Sequence, residues 1–156
     1  MKLHRLLTIF AALSVVTTTT IFAANAHLGT WKLDESKSKL GPDSPKNQTV
    51  TYTEAEDGMI KLTVDGVDKD GKPIHWTWTG KFDGTPSKVE GTTAFDAIAY
   101  EALNDHTNRG TGTKDGKVVF DGTIKVADDG KSRMVTTTTT GPDGTKHTDK
   151  AYYTKE

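Results

Sequence analysis

The stretch DGKPIHWTWTGKFDG, residues 70–84, carries two tryptophans two positions apart between two Asp-Gly pairs. Successive side chains of a β-strand point to opposite faces, so Trp76 and Trp78 share one face of a predicted strand over residues 73–82. Asp-Gly is typical of tight hairpin turns, because both of its residues tolerate a positive φ. The stretch therefore predicts a strand bounded by turns, and it leaves open whether the two rings fill a core or line a ligand cavity.

The same pattern recurs along the rest of the chain. Asp-Gly occurs eight times, with the aspartates at 57, 65, 70, 83, 115, 121, 129 and 143. We expect bulges or bends at Asp65-Gly66 and Asp121-Gly122, because both pairs fall inside strand-like runs. The segments between the turns alternate apolar and polar residues and predict nine strands, over residues 29–34, 47–56, 59–66, 73–82, 95–103, 106–113, 117–126, 132–140 and 146–154.

One of these segments, residues 95–103, also fits a helical stripe. We assign it to a strand, because Asn104-Asp105 is typical of a hairpin turn into the next strand. Consecutive antiparallel strands leave exposed edges unless the sheet closes on itself. The sequence therefore predicts an all-β fold, an antiparallel up-and-down β-barrel (a meander) of about 8–10 strands, whose interior is filled or holds one small ligand.

The N-terminus is typical of an export signal. Lys2 and Arg5 precede an apolar run from Leu6 to Val16, and Ala24-Asn25-Ala26 is an A-x-A cleavage pattern. We predict a signal peptide over residues 1–26 and one barrel domain over residues 27–156. The domain is then exported, to the periplasm or out of the cell.

Composition excludes several classes of function. Beyond the predicted signal, 18 basic residues face 21 acidic ones, which argues against nucleic-acid binding and against a polybasic membrane surface. No later stretch is apolar enough for stable membrane insertion. The chain has no cysteine, and its histidines are dispersed. We therefore predict no metal site, no cofactor and no catalytic residues, and we favour a protein that is not an enzyme. No oligomeric state follows from the sequence.

Two short motifs carry a resemblance to known families. Gly29-Thr30-Trp31 matches the G-x-W signature of lipocalins, and GTWKL also opens many fatty-acid-binding proteins. More broadly, the chain resembles small exported lipocalin-like proteins of bacteria, within the calycin superfamily. The resemblance implies that Gly29 and Trp31 form a structural plug at one end of the barrel. Lipocalins place an arginine of the last strand over this tryptophan, whereas the last strand here offers only Lys150 and Lys155.

The last strand also resembles the closing strand of fatty-acid-binding proteins. There a basic residue two positions before a tyrosine meets the ligand carboxylate, and Lys150 and Tyr152 have that spacing. This role requires both side chains to face inward, and the opposite parity turns Ala151 and Tyr153 inward instead. Alternation along the strand leaves the two parities open.

The remaining candidate residues follow from the barrel itself. Aromatic rings on its inner face either fill the core or line a cavity, and an inward arginine can pair with an anionic ligand. The complete set of predicted ligand-binding residues is Trp76, Trp78, Tyr100, Arg109, Phe120, Lys150 and Tyr152.

We expect an exported protein that carries a small hydrophobic or amphipathic molecule in its barrel. One alternative is a structural or protein-interaction module with a filled core. A second alternative is a barrel enzyme that acts on a bound ligand through Arg109, Tyr152 or a histidine.

Overall fold

Alternating residues and Asp-Gly turns build ten antiparallel strands, which close into a barrel in this computed structural model. The structure describes residues 25–141 and 143–156. Each strand pairs with its neighbours along the chain, and β1 pairs with β10 to complete the barrel. The all-β, up-and-down prediction is confirmed. The strands are β1 (Gly29–Leu33), β2 (Lys46–Glu54), β3 (Ile60–Val67), β4 (Pro73–Gly80), β5 (Ser87–Glu90), β6 (Ala97–Asn104), β7 (Thr107–Lys114), β8 (Lys117–Val126), β9 (Ser132–Thr140) and β10 (Lys146–Lys155).

The Asp-Gly pairs divide into turns and strand residues. Six of their glycines have a positive φ, namely Gly58, Gly71, Gly84, Gly116, Gly130 and Gly144. The other two lie inside β3 and β8. Of the bulge or bend expected at Asp121-Gly122, the bulge does not occur, because Asp121 and Gly122 lie in regular register opposite Thr111 and Gly110. Near Gly66 the register of β2 against β3 does shift, between Lys46 and Thr49.

Two neighbouring strands, β5 and β6, differ in how well the local sequence predicts them. The strand assignment for residues 95–103 is confirmed, because β6 pairs along its length with β7. β5 was not predicted from the sequence, because its four residues, SKVE, are too few to establish a period. It pairs with β4 and with β6 at two positions each.

The end of the barrel at which β4 begins is called the mouth below, and the opposite end is called the floor. Trp31 lies at the floor with no exposed surface. Its indole N–H donates to the backbone oxygen of His27 at 2.8 Å. Gly29, two residues earlier, has a φ of 112°, and a Cβ there would lie 2.7 Å from Cε of Lys155. The backbone conformation therefore favours glycine at this position, and the end of the Lys155 side chain lies in the space that a Cβ would take.

The lower half of the barrel is filled by aromatic and aliphatic side chains. Trp78 is 1% exposed, and its indole N–H donates to the backbone oxygen of Ile98 at 2.9 Å. Its ring meets Tyr100 edge to face, with the ring centres 4.9 Å apart. This packing stops above Tyr100, which leaves space in the upper half.

No helix among the described residues is long and apolar enough to cross a membrane. The predicted export signal, except for Asn25 and Ala26, lies outside the described residues.

Candidate functional site

The upper half of the barrel holds a cavity of about 540 Å³. Residues of six strands (β2, β4, β6, β8, β9 and β10) and of the loops before β2, β4 and β6 line it. Its rim includes Lys69 and Asp70, whose side chains are 55% and 54% exposed, so the cavity opens to solvent at the mouth. Its walls include the apolar residues Ile74, Trp76, Phe95, Phe120, Val135 and Ala151, together with Thr137.

An aromatic belt surrounds this space. Trp76 and Phe95 meet edge to face with ring centres 5.3 Å apart, and Phe95 meets Phe120 in the same way at 5.3 Å. Strand alternation places Trp76 inward from β4 and Phe120 inward from β8. The belt therefore gives the cavity an apolar, aromatic wall.

A smaller inner cavity of about 70 Å³ lies below the belt. Trp76, Tyr100 and Phe120 border both cavities, so the two are adjacent. Glycines open the wall here: Gly110 and Gly122 stand opposite each other on β7 and β8. A Cβ on Gly110 would lie 2.7 Å from the Tyr100 ring, so glycine at this position lets that ring lie against the wall.

The inner cavity ends at Arg133, which is 2% exposed. The guanidinium carbon lies 4.7 Å from the Trp31 ring centre, 5.1 Å from that of Tyr52 and 4.8 Å from that of Tyr153. Within residues 25–141 and 143–156, its Nε and Nη1 atoms are buried without a hydrogen-bond partner. The floor therefore holds a buried positive charge that is flanked by aromatic rings rather than by a carboxylate.

Arg133 was not predicted from the sequence, although its parity along β9 was a usable signal. Arg133 lies two residues before Val135 and four before Thr137, so all three face one side of β9. An arginine on the apolar face of a strand is unusual, because charged side chains are seldom fully buried. The last strand supplies Lys155 over Trp31, with its amine 5.1 Å from the ring centre, and the arginine over Trp31 comes from the strand beside it.

Burial controls the ionisation of the other polar groups near the floor. It lowers the pKa of His27 to about 4, and the Arg133 charge adds to this effect. Burial also raises the pKa of Tyr153 to about 12 and raises that of Tyr100 well above its ordinary value. At neutral pH, His27 is therefore uncharged and both phenols keep their protons.

The structure brings together four of the seven residues predicted for ligand binding. Trp76, Tyr100 and Phe120 line the cavities. Trp78 faces inward as well, but it lies below the cavities, in the packed core. Its role in binding stays a prediction that its position does not favour.

The other three predicted residues lie on the outside of the barrel. Arg109 is exposed, and its guanidinium donates to Asp121 on the neighbouring strand at 2.9 Å. Tyr152 lies under the Lys37 amine, which is 5.0 Å from its ring centre. Lys150 is exposed. Of the two parities that the sequence left open for β10, the structure has the one that turns Ala151 and Tyr153 inward.

The physical reason for the parity of β10 is its pairing. Tyr153 stands opposite Arg133 on β9, and its hydroxyl donates to the backbone oxygen of Asn47 at 2.9 Å. This pair at the floor fixes the whole strand, because a shift of one residue would reverse every side chain. Lys150 and Tyr152 are therefore directed away from a ligand in the cavity.

The rim of the mouth is acidic. Its charged residues are Asp43, Asp68, Lys69, Asp70 and Asp149. Asp149 accepts hydrogen bonds from the Gly41 N–H at 2.8 Å and from the Ser44 hydroxyl at 2.6 Å, and the His147 ring lies 2.8 Å away. These bonds hold the loop before β2 over the mouth. Among the described residues, no group of three His, Asp or Glu side chains could hold a metal ion.

Fold and cavity together define a class: an up-and-down antiparallel β-barrel with an interior cavity that opens at one end. No protein-family model matches this chain, and no curated protein matches it. Among solved structures, the chain is similar to a redesigned β-barrel, mFAP1, bound to DFHBI, with 15% sequence identity. The match covers 86% of this chain and 98% of that chain, with a TM-score of 0.44.

Proposed function

We propose that this protein binds a small hydrophobic or amphipathic molecule inside its barrel. The observation that carries the proposal is the cavity of about 540 Å³, lined by aromatic and aliphatic side chains and open at the mouth. Small-molecule sites typically measure about 300–1,000 Å³ and have mostly apolar walls with a few polar groups. The cavity has this size and this character.

The alternative of a module with a filled core fits only the lower half of the barrel. There Trp78 and its neighbours pack closely, whereas Trp76 and Phe120 border open space. The enzyme alternative named Arg109, Tyr152 or a histidine. Arg109 and Tyr152 lie on the outer surface and do not reach a ligand in the cavity.

The first experiment is native mass spectrometry of protein purified without denaturant, followed by solvent extraction. We expect a discrete extra mass that is lost on extraction. A fluorescent neutral probe, phenylnaphthylamine, then measures the affinity of the emptied protein. Its binding is compared in Thr137→Trp, which fills the cavity, and in Thr138→Trp, which adds the same ring to the outer face of β9.

We expect Thr137→Trp to weaken probe binding by about tenfold or more and Thr138→Trp to leave it unchanged. Circular dichroism verifies that both variants keep the β fold. Equal binding by the two folded variants would remove the cavity as the site.

The proposal includes export, which rests on the N-terminal sequence pattern. Expression of the full chain in a Gram-negative host should give a periplasmic protein. Its N-terminal sequence should begin at His27, and its intact mass should be that of residues 27–156. A protein that retains Met1 and stays in the cytoplasm would contradict export and would leave the binding proposal unaffected.

A further inference from the structure

We infer that the ligand is a single-headed organic acid, with its carboxylate at the floor beside Arg133, its apolar body in the upper cavity and a far end that carries no negative charge. The inference deepens the proposed function and rests on it. Three features support it: an uncompensated buried charge, a cavity of matching shape above it, and an acidic rim.

The buried charge comes first. Arg133 is 2% exposed, and its guanidinium carries a positive charge. A buried charge is costly unless an opposite charge or hydrogen bonds compensate it. The walls of the inner cavity include no Asp or Glu, and two guanidinium nitrogens lack partners among the described residues. The three aromatic rings compensate only part of this cost.

The neighbouring groups also favour an anion. Tyr52 and Tyr100 line the same inner cavity, and phenol hydroxyls donate hydrogen bonds to carboxylates. Burial raises the pKa of Tyr100, so its hydroxyl stays protonated and remains a donor. The Lys155 amine lies 5.1 Å from the Trp31 ring centre and adds positive potential at the floor.

The two cavities match the two parts of such a ligand. The inner cavity of about 70 Å³ exceeds the roughly 10–15 Å³ that one water requires, so a carboxylate group fits it. The upper cavity of about 540 Å³ then takes an alkyl or aryl body against Trp76 and Phe120. A ligand with its acid group at the floor therefore extends toward the mouth.

The rim selects against a second negative charge. Four aspartates and one lysine line it, which gives three formal negative charges where the far end of the ligand emerges. The Lys69 amine lies 3.0 Å from Asp70, and that pair leaves the other three carboxylates in excess. Exposed charges are screened by salt, whereas a buried pair is screened far less. The preference at the rim should therefore weaken with salt and the preference at the floor should persist.

A chain-matched ligand set tests the inference by displacement of the neutral probe. The set comprises decanol, decanoate, decanedioate and the ω-amino acid of the same length. At neutral pH, we expect decanoate to bind about tenfold to a hundredfold more tightly than decanol, as a charge-assisted hydrogen bond implies. Decanedioate should bind more weakly than decanoate at low salt, with the difference reduced at high salt. The amino acid should bind at least as well as decanedioate.

Variants locate the acid group. In Arg133→Met, decanoate should bind no better than decanol. Arg109→Met, which removes an arginine from the outer face, is the matched control and should leave all four affinities unchanged. Methionine preserves most of the arginine volume, and apolar replacements of buried charges are often tolerated. If this variant does not fold, the ligand series on the unaltered protein and Arg133→Leu decide the question.

The outcomes separate the two proposals. Equal affinity for decanol and decanoate would overturn the carboxylate at the floor and would leave a neutral-ligand binding protein. Unchanged acid preference in Arg133→Met would also overturn it. Decanedioate that binds as well as decanoate at low salt would overturn the single-headed class. The proposed function itself would be overturned if the neutral probe and all four ligands failed to bind and no ligand co-purified with the protein.

Discussion

At the scale of single residues, two tryptophans of one strand differ in their surroundings. Trp76 and Trp78 lie on the same face of β4, yet only Trp76 borders the cavities. Trp78 is held from all sides and by a hydrogen bond to the Ile98 backbone oxygen. The two positions therefore allow a matched comparison of cavity and core.

We predict that Trp78→Ala lowers the free energy of unfolding by about 3–5 kcal/mol, the usual cost of removing a large buried aromatic ring. Trp76→Ala should cost less, because the Trp76 ring borders the two cavities and has fewer packing contacts to lose. It should weaken ligand binding more than Trp78→Phe, which keeps a ring in the core. Urea denaturation and probe titration measure the two quantities. A larger stability loss in Trp76→Ala would contradict this assignment.

His27 makes stability depend on pH. Its folded pKa is about 4 against an ordinary value of 6.5, so the unfolded chain binds its proton more readily than the folded chain does. The contribution of His27 to the free energy of unfolding is fully present above pH 6.5, and it is lost as the pH falls toward 4. The loss amounts to about 3 kcal/mol. The pKa values of Asp34, Asp83 and Asp143 are lowered from 3.8, so their contributions are lost mainly below that window.

Urea denaturation at a series of pH values tests this prediction. His27→Gln should flatten the dependence between pH 6.5 and 4. His75→Gln, which removes an exposed histidine from the outer face of β4, is the matched control. Equal slopes in the two variants would exclude His27 as the cause.

At the scale of strands and turns, β5 is the weakest part of the barrel wall. It has four residues and pairs with each neighbour at two positions, whereas β3 and β4 pair along eight. Local stability follows such pairing, because short ladders open without unfolding the rest. Hydrogen exchange of backbone amides should therefore be faster in β5 than in β3 or β4. Protection of β5 equal to that of β4 would contradict a weak wall.

The same scale shows what the sequence could predict. The six Asp-Gly turns and the alternation of Ile60, Leu62 and Val64 are local signals, so the barrel followed from them. β5 is too short to show a period. The parity of β10 could not follow from alternation, because both of its faces carry a tyrosine. It depends on Tyr153 meeting Arg133 across the closing strands, which is a contact between distant parts of the chain.

At the scale of the whole molecule, the barrel is packed below and open above. The aromatic wall of the site was predictable from inward parity, as Trp76, Tyr100 and Phe120 illustrate. At the floor, the sequence predicted the plug of Gly29 and Trp31 but not Arg133, because the face that Arg133 shares with Val135 and Thr137 was overlooked. The burial of Arg133 arises only when β9 lies between β8 and β10 and brings this residue over Trp31.

Because the barrel is packed in its lower half and open in its upper half, we can predict how a ligand in the cavity changes the stability of the molecule. A ligand that binds only the folded barrel raises its free energy of unfolding by about 2.7 kcal/mol at a hundred times its dissociation constant. Decanoate should therefore raise the urea midpoint of the unaltered protein, and the increase should grow with the logarithm of its concentration. In Thr137→Trp, where the added ring occupies the cavity, the increase should nearly vanish, whereas Thr138→Trp should retain it. Stabilisation of equal size in both variants would mean that decanoate acts outside the barrel, because only the cavity distinguishes the two substitutions.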